Sequence, residues 1–223
     1  MTQSTISNER RDFLSGMVIA AAASGLTIAA ASSAPALAAD APATDFTRWL
    51  DTISGQQKVV LDVREPYDGM AIAWGWVYLF TGPQAYGVKE NALGTVMVFR
   101  HNAIPMVLED SMWKKYKLGE FFKINDPKTS AAAVRHPYYT TPVDPDVPDM
   151  TLKAHIDRGV KVAACDMALH YYSGVIAKQS GLKHEDVKKD WMSAVLPDIT
   201  HAPSGVVACQ GAVAKGCTYV FAG

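Results

Sequence analysis

Cys165 stands at the end of a short apolar run, GVKVAAC (residues 159–165), and helix-like spacing begins directly after it. A thiol in that place has two readings. Free cysteine is among the most buried residue types and often serves as a small apolar filler. At the carboxyl end of a parallel strand, however, it stands where such sheets build their sites. The helix N-terminus that follows favours a nearby anion, and so the thiolate. Thiolate is the form that attacks a disulfide or an electrophilic sulfur. Asp166, next in the chain, opposes that effect if its carboxylate faces the sulfur. His101 follows a second apolar run, TVMVFR (95–100), and in a parallel sheet it reaches the same edge. An imidazolium close to Cys165 would stabilise thiolate, whereas a hydrogen-bonded structural histidine needs no such role. Asn102 beside it suits the cap of a following helix.

The other candidate chemistry is sparse. Of three cysteines, Cys209 and Cys217 lie eight apart near the carboxyl end. A local disulfide between them would leave Cys165 as the free thiol; three reduced, buried thiols are the alternative. No phosphate-cradling GxxxxGK[ST], no GxGxxG after a strand, no GxSxG elbow and no CxxC or CxxCH is present. The six histidines, His101, His136, His155, His170, His184 and His201, form no HxH or HxxxH pair. No metal site and no dissociable cofactor are therefore expected. A formal charge of -1 with no basic face excludes nucleic acid as a partner.

Elements that could position these residues are legible. KVVLDV (58–63), TVMVFR (95–100) and VKVAAC (160–165) are short, continuously apolar runs separated by longer segments, the pattern of buried parallel strands with crossover helices. SGVVAC from Ser204 and CTYVFAG from Cys217 suggest one or two more strands. NAIPMVLEDSMWKKYK follows the second strand with Leu108, Met112 and Tyr116 at helical spacing. A helix is expected after Cys165 with Gly181 as its stop, and another in HEDVKKDWMSAVLPD ended by Pro197. GMAIAWGWVYLFTG is apolar nearly all round, which fits a core helix or a subunit contact. The Pro-rich stretch 124–150 reads as a surface excursion. The expected fold is α/β: a single domain with a mainly parallel central sheet and helices on both faces.

Arg10 and Arg11, followed by Phe13, Leu14 and an Ala-rich stretch ending near Ala38 or Ala39, resemble a twin-arginine export signal. Ser24, Gly25 and Thr27 make the segment too weakly apolar for a membrane span. The expected layout is a signal at 1–39, an N-terminal segment at 40–57 and the α/β domain at 58–223, located in the periplasm with no membrane span once the signal is removed. Export after folding is what that resemblance implies, so the fold would not depend on disulfides.

GVKVAAC with its downstream helix, PSGVVAC…GCTYVFAG, and the order KVVLDV then TVMVFRHNAIPMVLED together resemble the DsrE family of sulfur-handling proteins over most of residues 58–223. The resemblance implies a parallel α/β fold, a homo-oligomer and, at the position matching Cys165, a cysteine that carries sulfur as a persulfide. It departs from the family at Asp166–Met167, where small residues are expected. The function so implied is binding or relay of sulfane sulfur through Cys165, assisted by His101, with a small sulfur species or a thiol-bearing protein as partner. The alternatives are a non-catalytic oligomeric binding module, using Trp74 and Trp76, and a redox-responsive structural protein.

Overall fold

The structure is a computed structural model and describes residues 44–223; the export signal read at residues 1–39 lies outside them. Five strands, β1 (Gln57–Val63), β2 (Leu93–Phe99), β3 (Lys161–Cys165), β4 (Ile199–Ala202) and β5 (Thr218–Phe221), form one sheet in the order β4-β3-β2-β1-β5. Every pairing is parallel. Among the described residues eight α-helices accompany them: α1 (Asp45–Asp51), α2 (Met70–Tyr86), α3 (Asp110–Lys115), α4 (Leu118–Phe122), α5 (Leu152–Asp157), α6 (Asp166–Ser180), α7 (His184–Ser193) and α8 (Gly205–Ala214). The expected single α/β domain, with its parallel sheet covered on both faces, is the fold.

Strand periodicity divides the core. Side chains alternate across a strand, so Val59, Leu61 and Val63 of β1 join Met97, Val162 and Ala164 on one face, under α2, α5, α6 and α7. Val60, Val96, Val98 and Ala163 point to the other face and meet Phe46 and Leu50 of α1 and Ala208, Cys209 and Ala212 of α8. Burial on both faces explains why β2 carries no exposed residue.

Three local expectations are corrected. SGVVAC is not a strand: the Ser204 hydroxyl accepts the Val207 N–H at 3.2 Å and caps α8. Its small residues then fall at helical spacing, and Gly211 allows α8 to close on Leu50, whose Cδ1 lies 2.7 Å from where a Cβ would sit. The segment after β2 is not one helix either. A 3₁₀ stretch at His101–Val107 precedes the short α3 and α4. Leu108, Met112 and Tyr116 are nevertheless all buried. Asn102 caps no helix; its side chain bonds Glu65 and Tyr172 instead. By contrast α6 ends as expected, at Gly181 with φ 66.

The 124–150 segment has almost no regular structure, but it is anchored rather than draped over the surface. His136 and Tyr138 are buried. The His136 Nε2–H donates to the Met106 carbonyl at 2.7 Å, and its Nδ1 accepts the Tyr138 N–H at 3.1 Å. Gly119 lies so close to Ala133 that an added Cβ would stand 2.3 Å from both its N and its O. Helix α2, read as a core helix or a subunit contact, is core on one side only. Ile72 and Leu79 are buried, while Met70, Trp74 and Val77 face outward.

Candidate thiol site

Cys165 closes β3 and is at once the N-cap of α6, its Sγ accepting the Ala168 N–H at 3.3 Å. The amides of Gly205 and Met167 also favour charge on this sulfur. Gly205 opens α8, so the N-termini of two helices converge on one atom. Burial works the other way and is the larger effect: with Cys165 only 6% exposed, desolvation pushes the thiol above its ordinary pKa, and the Asp166 charge adds to this. The resting group at neutral pH is the protonated thiol. Asp166 is itself occupied, its Oδ1 lying 2.6 Å from His201 Nδ1 on β4; the hydrogen bond raises the imidazole pKa.

Next to the thiol lies a buried ion pair. The Arg100 Nε and Nη2 donate to the two carboxylate oxygens of Asp62 at 2.6 and 2.8 Å, and the Tyr219 hydroxyl donates to Oδ2 at 2.6 Å. Burial alone would raise the Asp62 pKa; the bonds from Arg100 and Tyr219 outweigh it and hold it below the usual carboxylate value. Cys209 faces the same carboxylate. Burial, then the Asp62 charge, push its thiol up to about 12. Gly205 rests on the aliphatic stem of Arg100, where a Cβ would meet Cδ at 2.6 Å and Cβ at 2.7 Å. The ion pair thereby seats the amide that addresses Cys165.

His101 stands at the carboxyl end of β2, the strand beside β3, as the topology requires. Its Nδ1 lies 3.3 Å from Glu65 Oε1, at ion-pair distance. Burial lowers its pKa, with Glu65 opposing. Glu65 Oε2 accepts the Asn102 amide at 2.9 Å, and Asn102 Oδ1 accepts the Tyr172 hydroxyl at 2.6 Å. A chain of polar groups thus runs along the edge from β1 to α6. The backbone here is unusual: Tyr67, Asp68 and His101 all have positive φ, at 32, 50 and 50. Such conformations cost energy in residues with a Cβ and cluster at functional sites.

All three cysteines are free and buried. Cys209 and Cys217 therefore form no disulfide, and the arrangement is that of three reduced thiols. Among the described residues no group of three or more His, Cys, Asp or Glu is placed to hold a metal ion, and no helix is long and apolar enough to cross a membrane. Comparison of the chain with family models, with curated proteins and with solved structures finds no match in any of the three.

The sequence reading named Cys165 and His101, which the sheet sets at the ends of neighbouring strands, and did not single out Asp62, Arg100, Glu65, Tyr172 and Tyr219 around them. A signal existed for two of them. An acid inside the apolar KVVLDV and an arginine closing TVMVFR are both anomalous in buried strands, and each is the other's explanation.

Proposed function

We propose that this protein carries sulfane sulfur on Cys165, in the manner of the DsrE-like proteins its sequence resembles. A persulfide donor R–S–SH gives up its outer sulfur atom: the Cys165 sulfur forms an S–S bond to that atom, the donor S–S bond breaks, and the thiol proton leaves with R–SH. Onward transfer is the reverse exchange with a thiol-bearing acceptor. The observation that carries this reading is the set of amides from Met167, Ala168 and Gly205 around Sγ, fixed dipoles that favour the thiolate as it forms. His101, kept neutral by burial and oriented by Glu65, is the proposed proton acceptor. The strained backbone at Tyr67, Asp68 and His101 supports a site at this edge. Export by the twin-arginine route would place the carrier in the periplasm.

Mass spectrometry after incubation with a persulfide donor tests the reading. Cys165 should gain the mass of one sulfur atom, reversibly with dithiothreitol, and Cys165→Ser should abolish the gain. An unmodified Cys165 in folded protein refutes the carrier. A second reading, a non-catalytic binding module, is favoured by the exposed apolar side chains of α2; it requires that Cys165→Ser leave association intact.

A further inference from the structure

Strand β5 is the edge of the sheet: among the described residues it pairs only with β1. All four of its residues, Thr218, Tyr219, Val220 and Phe221, are exposed. Edge strands are normally guarded by charge, proline, bulges or a covering segment. β5 has no charged residue, no proline and no bulge in its register with β1. Its flanks are apolar too. On one face α2, which packs on β1 and β2, exposes Trp74; on the other α8, which packs on β5, exposes Val206 and Val213.

From this edge we infer a homodimer, in which β5 of one copy pairs antiparallel with β5 of a second across a two-fold axis. The register follows from the backbone. The Ala222 N–H bonds inward to the Asp62 carbonyl at 3.0 Å. Backbone groups alternate in direction along a strand, so Tyr219 and Phe221 direct their N–H and C=O groups outward. A two-fold axis perpendicular to the sheet through Val220 sets Tyr219 opposite the second copy's Phe221, and the reverse. Each of these two pairs exchanges both of its hydrogen bonds. Val220 then meets its own counterpart at the non-hydrogen-bonded position.

Side chains agree with that register. Tyr219 and Phe221 share the face of Val60 and Asp62, their partners on β1, so the pairing makes two aromatic cross-strand contacts on one face. Val220 meets Val220 on the other, flanked by α2 of each copy. The exposed fractions of Tyr67, Met70, Trp74 and Val77 and of the β5 and α8 side chains amount to roughly 750 Å² of accessible surface per copy, so a pair that covers most of it falls within the ~600–1,000 Å² per partner of stable interfaces. A symmetric pair uses the same patch twice and leaves neither β5 edge unpaired. The dimer is independent of the sulfur chemistry at Cys165.

Sedimentation of the full chain at micromolar concentration tests it. The expected result is twice the monomer mass. Val220→Lys and Val220→Glu, each placing like charges against each other on the axis, should both sediment as monomers with unchanged circular dichroism. Mixing the two should restore the double mass, because only a residue that faces itself is rescued by its opposite charge. A monomeric parent chain, an association untouched by either substitution, or no recovery on mixing would overturn the proposal.

Discussion

Lowering the pH from 7 to 4 should cost the fold about 3 kcal/mol through one imidazole, that of His136. Its two ring nitrogens have opposite duties: Nε2–H donates to the Met106 carbonyl, and Nδ1 accepts from the Tyr138 N–H. Protonation would turn Nδ1 into a donor facing a donor, in a buried place. Burial accordingly lowers the His136 pKa to about 4, against an ordinary value of 6.5. The Asp110 carboxylate, which accepts the His136 backbone N–H at 2.8 Å, opposes the shift without overcoming it.

The sign follows directly. Between pH 6.5 and 4 the unfolded chain binds a proton that the folded chain refuses, so stability is whole above the unfolded pKa and falls as pH drops towards the folded one. At about 1.36 kcal/mol for each pH unit across that window, the loss approaches 3 kcal/mol. His155, fully buried and also lowered chiefly by burial, adds in the same direction. Asp62, held low, contributes only at more acid pH, below its unfolded pKa. Urea denaturation at intervals from pH 7.5 to 4 measures the slope. In His136→Gln, whose amide offers a donor and an acceptor but does not titrate, the slope should flatten by the His136 share. An unchanged slope in a folded variant would refute the assignment.

Arg100→Met leaves the Asp62 carboxylate buried without its guanidinium and should cost about 3–5 kcal/mol in urea titrations, with much of it recovered in the double variant Asp62→Leu, Arg100→Met. Cys165→Ala removes the acceptor of the Ala168 N–H and should lose about 1 kcal/mol relative to Cys165→Ser, which keeps an N-cap oxygen there. Gly119→Ala drives a Cβ into the Ala133 backbone, which cannot yield as a side chain could; limited proteolysis should cut within 124–150 much faster than in the parent chain. Gly205→Ala displaces the start of α8 from Arg100 and should alter the alkylation rate of Cys165 while that of Cys217 stays constant.

How far the sequence discloses these features depends on the range of the forces involved. β1, β2 and β3 are legible because burial on both faces demands unbroken apolar runs. β4 is only four residues with Thr200 and His201 inside it, too short and too polar to stand out. SGVVAC misleads because a short apolar run is common to strands and helices; the Ser204 cap was the local sign that decided it. The 3₁₀ stretch has its cause in Pro105, which donates no N–H, and in the left-handed turn at His101. Anchoring of the excursion is not local at all, since Met106 and His136 are 30 residues apart. The place of Cys165 at a strand–helix seam was legible because that seam is written in consecutive residues. Its neighbours Asp62, in β1, and Arg100, directly after β2, are 38 residues apart, and only the sheet brings them together.

At Cys165 two opposing effects meet, and they differ in what could remove them. The amides of Met167 and Ala168 belong to the first turn of α6 and are as rigid as that helix. The Gly205 amide is held by the seat of α8 on Arg100, and Arg100 by a bidentate grip on a carboxylate that Tyr219 also holds. These dipoles are part of the fold itself. Desolvation is not, because it depends on whatever closes over the sulfur. Any step that admits a donor therefore relieves the larger, opposing effect and leaves the favourable one in place, lowering the thiol pKa when a reactant arrives. A thiol protonated while buried is thus compatible with the proposed transfer, and the ion pair behind it supplies a fixed geometry rather than a charge.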